Sequence, residues 1–240
     1  MLYRSIYDIE WKYYDLLYGN FTEDIEFYKK IIKSGDVLEL MCGTGRIANE
    51  LSKITNVWCL DIDERMIEIA SRKNSELNCI VSDVRNFYLA KKFDYIILPL
   101  NSILLFPSNE KKYILSTAAM HLKEDGKIIV DMIPPVDLEE SVVYLGDHKV
   151  NGDTEIWRFF VPNYSEDMKI LNLTYFYDIF EKSSFRRDSA ILTLYLENME
   201  DMRIIVKEAG LSINQVFGNY NMENYHPESS ERLILMIGLK

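Results

Sequence analysis

The chain has 240 residues, 48% of them hydrophobic, enough for one large domain with room for an insertion. No run approaches the roughly 20 apolar residues of a membrane-spanning helix, and Met1–Glu10 lacks a signal-peptide apolar core, so a cytoplasmic location without membrane partners is the expectation. The formal charge of −11, with basic residues clustered only in pairs such as Lys29-Lys30 and Arg186-Arg187, disfavours nucleic acid as a partner.

The N-terminal stretch is rich in tyrosine: Tyr3, Tyr7, Tyr13, Tyr14, Tyr18 and Tyr28. Tyr7, Trp11, Tyr14 and Tyr18 fall at helical spacing, which predicts a helix packed through that face. Thr22 is placed to cap a second helix with Ile25, Tyr28, Ile31 and Ile32 on its apolar face, and Gly35 ends it. From Asp36 the rhythm changes. Val37–Met41 is a short apolar run that closes in the turn Gly43-Thr44-Gly45, and a helix with Ile47, Ala48 and Leu51 follows. Further strands are predicted at Val57–Leu60, Cys79–Val81, Asp94–Leu98 and Lys127–Val130. Helices are expected around Met66–Ala70 and from about Asn109, and the fifth strand follows an Asp125-Gly126 turn. Continuous apolar runs that alternate with helices indicate a parallel sheet covered on both faces.

Around Ile133-Pro134-Pro135 this order breaks. Leu171, Leu173, Tyr175, Tyr177 and Ile179 alternate with other residues. With Thr154–Val161, Ile191–Leu196 and turns at Asn151–Asp153 and Asn163–Asp167, they predict an inserted antiparallel sheet with one wet face. A helix over Met202–Ala209 and strands at Ser212–Phe217 and Leu233–Leu239 resume the first pattern. The last two lie too close for a helical crossover and should run antiparallel. The expected domains are 1–140 with 199–240, and an inserted unit over 141–198.

Cys42, Cys59 and Cys79 have neither zinc-site nor disulfide-scaffold spacing and read as small buried residues; no metal site is expected. The turn Glu39–Gly45 lets a ligand approach bare backbone at the carboxyl end of the first strand, where open α/β sheets bind ligands. Asp61 ends the second strand, where a carboxylate can accept ribose hydroxyls, and Asp83 follows the third, where it could accept from an adenine amino group. The loose pattern Gly43-x-Gly45-x-x-Ala48 also raises a nicotinamide oxidoreductase. Glu39 argues against it, because its charge faces the space a pyrophosphate would fill, whereas a cationic nucleoside tolerates it.

Val37–Arg46, Leu60–Met66, Val81–Asp83 and Phe93–Leu98 resemble the ordered motifs of class I S-adenosylmethionine-dependent methyltransferases. The resemblance spans about 36–133 well and 199–240 more loosely. It implies an α/β, Rossmann-like seven-stranded sheet, mostly parallel with the last strand antiparallel, carrying a small inserted β lid. It also implies that Glu39, Gly43 and Gly45 line the methionine end of the cofactor, Asp61 holds its ribose, Ile62 packs on the adenine, and Asp83 with Val84 reads the adenine edge, with Met41, Met66 and Leu98 also among the cofactor-binding residues. For Ile62 and Val84 plain core packing is the lesser alternative. Tyr7 and Tyr14-Asp15 match a pattern in small-molecule methyltransferases, including sugar N-methyltransferases and relatives of glycine N-methyltransferase. There the N-terminal segment closes over the cofactor and the insertion roofs the acceptor. Either tyrosine, with Arg46, would bond the cofactor's carboxylate; packing alone explains the tyrosines as well.

The fourth strand's end, Leu98–Ile103, should face the transferred methyl, with Asn101 placed to orient an acceptor amine or hydroxyl. Some sugar N-methyltransferases carry a histidine a few residues on, and Ile103–Phe106 has none. His121 lies on an apolar helix face and reads as packing; His148 and His226 are expected in loops. Asp131, ending the fifth strand, is the one obvious carboxylate that could act as a base, or it could orient the lid. The reading is transfer from S-adenosylmethionine to a small molecule, leaving S-adenosylhomocysteine, by a monomer or homodimer. A dry pocket rimmed by Leu100, Ile103 and Trp157 is expected. Alternatives are a peptide or carrier-bound acceptor, a cofactor-binding module without chemistry, and, remotely, the oxidoreductase.

Overall fold

Leu38, Leu40, Cys59, Leu60, Ile96 and Ile97 have no solvent exposure, as strands covered on both faces require. They belong to a computed structural model that describes residues 5–165, 167 and 169–240, so Tyr3 and Glu166 lie outside the described residues. In chain order the elements are α1 (Tyr7–Glu10), α2 (Tyr14–Tyr18), α3 (Glu23–Ile31), β1 (Asp36–Leu40), α4 (Arg46–Leu51), β2 (Asn56–Asp61), α5 (Glu64–Lys73), β3 (Asn78–Val81) and β4 (Phe93–Leu98). A short 3-10 turn over Ser102–Leu105 leads to α6 (Ser108–Met120) and β5 (Leu122–Met132). The remainder is β6 (Tyr144–Asn151), β7 (Thr154–Tyr164), β8 (Ile170–Glu181), β9 (Ser184–Tyr195), α7 (Met199–Glu208), β10 (Leu211–Phe217) and β11 (Leu233–Leu239). The chain divides into two compact units, residues 22–135 with 197–240, and residues 1–21 with 136–196. The N-terminal segment, expected with the larger domain, thus groups with the insertion.

The larger unit holds a seven-stranded sheet in the order β10-β11-β5-β4-β1-β2-β3. β11 runs antiparallel to both neighbours and the other pairings are parallel, as expected. After β1 the chain winds outward through β2 and β3, then returns to lay β4 on β1's other side, so the winding reverses between β1 and β4. That crevice is the usual ligand position of such sheets. Phe93 pairs with Leu122 and Tyr95 with Lys127, so the expected Asp125-Gly126 turn appears as a bulge within β5. The connection 82–92 carries no helix, a departure from strict alternation. α5 starts where Asp63 accepts from the Arg65 N–H at 2.9 Å, and it buries Met66, Ile67 and Ala70. α7 starts in a capping box of Asn198 and Asp201.

The smaller unit is the antiparallel sheet β6-β7-β8-β9 with α1 and α2. Leu171, Leu173, Tyr175, Tyr177 and Ile179 are buried along one face, as their alternation predicted. The buried stripe of the N-terminal segment is Ile6, Ile9, Tyr13 and Leu17, and Tyr7, Trp11, Tyr14 and Tyr18 are only partly buried. This stripe wins because its three aliphatic side chains carry no hydroxyl to strand and the Tyr13 hydroxyl donates to Glu181 Oε1 at 2.9 Å. Glu10, also buried, accepts from Arg158 Nη1 at 2.6 Å and from Tyr177 Oη at 2.7 Å. Arg158 also reaches Asp147 and Tyr18, which ties the N-terminal helices to the sheet through one buried cation. His148, expected in a loop, lies in β6 and stacks on Trp157 with ring centroids 3.7 Å apart.

Candidate functional site

β1, β2 and β3 are in register, with Glu39 beside Cys59 and Asp61 beside Val81, so Glu39, Asp61 and Asp83 stand at the carboxyl ends of adjacent strands. The turn after β1 holds Met41, Gly43 and Gly45 at φ of 56°, 56° and 70°. A Cβ on Gly45 would stand 3.0 Å from the Ala70 Cβ of α5, so glycine is needed there for conformation and for space. Gly43 N–H donates to Asp61 Oδ2 at 2.7 Å, and Asp63 N–H to Asp61 Oδ1 at 2.9 Å. Lys73 Nζ holds the Thr44 carbonyl at 3.1 Å. The turn is therefore organised by β2 and α5.

Glu39 is buried. Burial pushes its carboxyl up to about 8, against the pull of the Arg46 charge and the Ala48 N–H. Its Oε2 has no hydrogen-bond partner, and neither has the buried Tyr28 hydroxyl. An orphaned buried oxygen beneath bare backbone fits a cationic ligand. Burial also raises Asp61, opposed by the Asp63 and Gly43 N–H groups. Ile62, next in sequence, is 64% exposed, an apolar side chain open to a flat partner such as a base.

Other expected positions depart from this arrangement. Arg46 does not stand ready for a carboxylate of the cofactor: its guanidinium forks onto Asp24 of α3, with Nη1 2.9 Å from Oδ1 and Nη2 on Oδ2, both side chains buried. Asp83 is clasped by Arg85, whose Nε lies 3.0 Å from Oδ1 and Nη2 2.6 Å from Oδ2; this pairing lowers its pKa. A nucleobase would share that carboxylate with a cation. Met66, Val84 and Leu98 are packed in the core, so their side chains give shape behind the site rather than an open contact. Tyr7 and Tyr14 belong to the smaller unit.

Asp131 is no ready base. Oδ1 accepts from Arg232 Nε at 2.9 Å and Nη2 at 2.5 Å, and Oδ2 from Tyr220 Oη at 2.9 Å and the Leu100 N–H at 3.1 Å. Taking a proton would require giving up bonds inside the core. Asn101 turns Oδ1 to the Ile133 N–H at 2.8 Å. Only an acceptor atom can face that N–H, so the amide NH2 points away, and it makes no hydrogen bond among the described residues. Asn101 thus offers a donor, which suits an oxygen of an acceptor rather than an amine N–H. His121 is the packing histidine expected: Nε2 accepts from the Leu89 N–H at 3.0 Å, which leaves Nδ1 to donate to the Thr117 carbonyl at 2.8 Å. The sequence reading missed Asp24, Lys73, Tyr220 and Arg232. An acid in the first turn of α3 reads as ordinary dipole complement, and nothing local marks the rest.

Residues 37–126 match a protein family described as a methyltransferase domain. This segment is a methyltransferase domain. The chain is 24% identical over 211 residues to the cypemycin N-terminal methyltransferase of a Streptomyces species, covering 83% of this chain and 82% of the relative. Among solved structures it is similar to an S-adenosylmethionine-dependent methyltransferase from Clostridium acetobutylicum, with a TM-score of 0.81, 18% identity, and 98% and 99% of the two chains covered. It is also similar to the sugar N-methyltransferase KedS8 from Streptoalloteichus, with a TM-score of 0.78, 17% identity, and 100% and 95% covered. At these identities the structural likeness establishes the fold, an α/β methyltransferase fold with the inserted sheet included. No helix among the described residues is long and apolar enough to cross a membrane, and no group of residues among them could hold a metal ion.

Proposed function

We propose that this methyltransferase acts on an amine or hydroxyl of a small molecule. S-adenosylmethionine is the methyl donor, and bound here it supplies an electrophilic methyl on a positively charged sulfur. The observation that carries the reading is the partnerless Oε2 of buried Glu39 beneath the Gly43–Gly45 turn, at the point where the sheet reverses. Glu39 favours a cation there, Asp61 takes ribose hydroxyls, Ile62 covers the base, and Asp83 with the Val84 backbone meets its edge. Tyr7 or Tyr14 as the partner of the cofactor's carboxylate rests on resemblance to small-molecule methyltransferases.

Displacement at a sulfonium methyl disperses charge, so the chain's task is to hold the nucleophile close and in line and to exclude water. Asn101 Nδ2 orients an acceptor oxygen. With Asp131 and His121 committed to internal bonds, the acceptor reaches the site already carrying its lone pair. KedS8, a sugar N-methyltransferase by name, supports a small acceptor, and the charge of −11 disfavours nucleic acid. A second reading, methylation of a peptide amino terminus, draws on the cypemycin N-terminal methyltransferase, matched over 83% of this chain.

The test is transfer from S-adenosylmethionine labelled in its methyl group to a panel of amines, amino sugars, hydroxylated metabolites and short peptides, read by mass. Label in a small amine or alcohol supports the proposal. Label confined to peptides transfers the assignment to the second reading, and no label in any pool contradicts both.

A further inference from the structure

The chain leaves β4 through two consecutive L-residues in the left-handed region, Leu100 at φ 49° and Asn101 at φ 66°. A Cβ makes that region unfavourable, and a leucine has no side-chain hydrogen bond with which to offset it. Such backbone persists where its surroundings over-determine it, and it concentrates at functional sites. The surroundings here are specific. Leu100 N–H donates to Asp131 Oδ2 at 3.1 Å, Asn101 N–H to the Asp131 carbonyl at 2.9 Å, and Ile133 N–H to Asn101 Oδ1 at 2.8 Å. One residue therefore grips the turn by both side chain and main chain.

Asp131 is in turn fixed from the connection between β10 and β11, by Arg232 on Oδ1 and Tyr220 on Oδ2. Arg232 lies over the Tyr220 ring, 5.4 Å from its centroid, and its own N–H donates to the Gly218 carbonyl at 2.9 Å. A buried, charge-assisted bond to a main-chain N–H is stronger and more directional than a neutral one. Packing alone would be served as well by an apolar side chain at position 131. A carboxylate there has a definite product: a turn that Leu100 and Asn101 would not adopt by themselves.

We infer that Asp131, seated by Arg232 and Tyr220, is a positioning residue for methyl transfer: it holds the Leu100–Asn101 turn in its left-handed form and so aims the Asn101 amide at the acceptor. This rests on the proposed reading of the β4 end as the acceptor side. The segment between β10 and β11 thereby becomes part of the transfer machinery.

The experiment compares full-length wild type, Asp131→Asn, Leu100→Gly and the double variant. It reads residue-resolved amide hydrogen exchange, affinity for S-adenosylhomocysteine by calorimetry, and kcat and KM on the acceptor found by the labelled-methyl screen. In Asp131→Asn, exchange at Leu100, Asn101 and Ile133 should rise at least tenfold, while β1, β2 and S-adenosylhomocysteine affinity change less than twofold. kcat should fall at least tenfold with little change in KM for S-adenosylmethionine. Leu100→Gly, which takes positive φ without strain, should return part of the lost protection and rate. Unchanged exchange at those three amides overturns the inference, as does a uniform rise across β4, β5 and β11 or equal kinetics in wild type and variant. Should Asp131→Asn fail to fold, Tyr220→Phe and Arg232→Lys carry the same readings in milder form. S-adenosylhomocysteine that fails to bind wild type contradicts the proposed function instead, and the exchange comparison still decides whether Asp131 holds the turn.

Discussion

Glu39 combines a buried carboxyl, a pKa near 8 and an oxygen without a partner. In the unfolded chain the same group titrates near 4.5. Between those values the native state holds a proton that the unfolded state has released, so this residue's contribution to stability falls as pH rises from about 4.5 to about 8 and levels off above. Glu39→Gln removes the titration. The stability gap between the variant and wild type should widen in the variant's favour from pH 5 to pH 8 in urea unfolding without ligand; a constant gap contradicts a buried, raised carboxyl. Asn101 makes a separate prediction. With its carbonyl oxygen committed to Ile133, replacement by alanine removes the amide donor that Asn101 leaves available. It should lower kcat by roughly tenfold or more, the worth of one well-placed hydrogen bond, and leave calorimetric affinity for S-adenosylmethionine unchanged. Loss of cofactor affinity would place Asn101 on the other side of the site.

Two of the buried ion pairs among the described residues join helices to their neighbours. Asp24 joins α3 to Arg46 at the start of α4, and Glu10 joins α1 to Arg158 of β7. Removing one partner leaves a desolvated charge, so Arg46→Met should cost about 3–5 kcal/mol in denaturant unfolding. A cost within 0.5 kcal/mol would mean that Asp24 finds water or another donor. Arg158→Met leaves Glu10 with Tyr177 and Tyr18 alone. The N-terminal helices, which are short and have little intrinsic stability, should then become the first site of proteolysis; cleavage no faster than in wild type would show that the Ile6, Ile9, Tyr13 and Leu17 stripe suffices to dock them. The strands at this scale were legible because a doubly covered strand is an uninterrupted apolar run, as in Val57–Leu60 and Ile128–Val130. The buried stripe of the N-terminal segment was not: tyrosines and aliphatics interleave at the same helical period, and only packing within the smaller unit selects between them.

For the molecule as a whole, the larger unit supplies the glycine turn, the strand-end acids and the Asp131 clamp, and the smaller unit joins segments more than a hundred residues apart in sequence. That grouping escaped the sequence because its bonds, Glu10 to Arg158 and Tyr13 to Glu181, link positions with no local signature. The same holds for Asp131. A carboxylate at a strand end reads as a possible base until Arg232 and Tyr220, distant in the chain, are seen to occupy it. The cofactor side was legible because its determinants are local to successive strand ends: Glu39, Gly43, Gly45 and Asp61.

Calorimetric titration of wild type and Asp61→Ala with S-adenosylmethionine tests that convergence most directly. Wild type should bind one equivalent per chain. The variant, folded by circular dichroism, should bind at least about tenfold more weakly, since hydrogen bonds to a charged group contribute roughly 1.5–3 kcal/mol each. Wild type that takes up no S-adenosylmethionine, or a variant that binds it as tightly as wild type, would contradict the account.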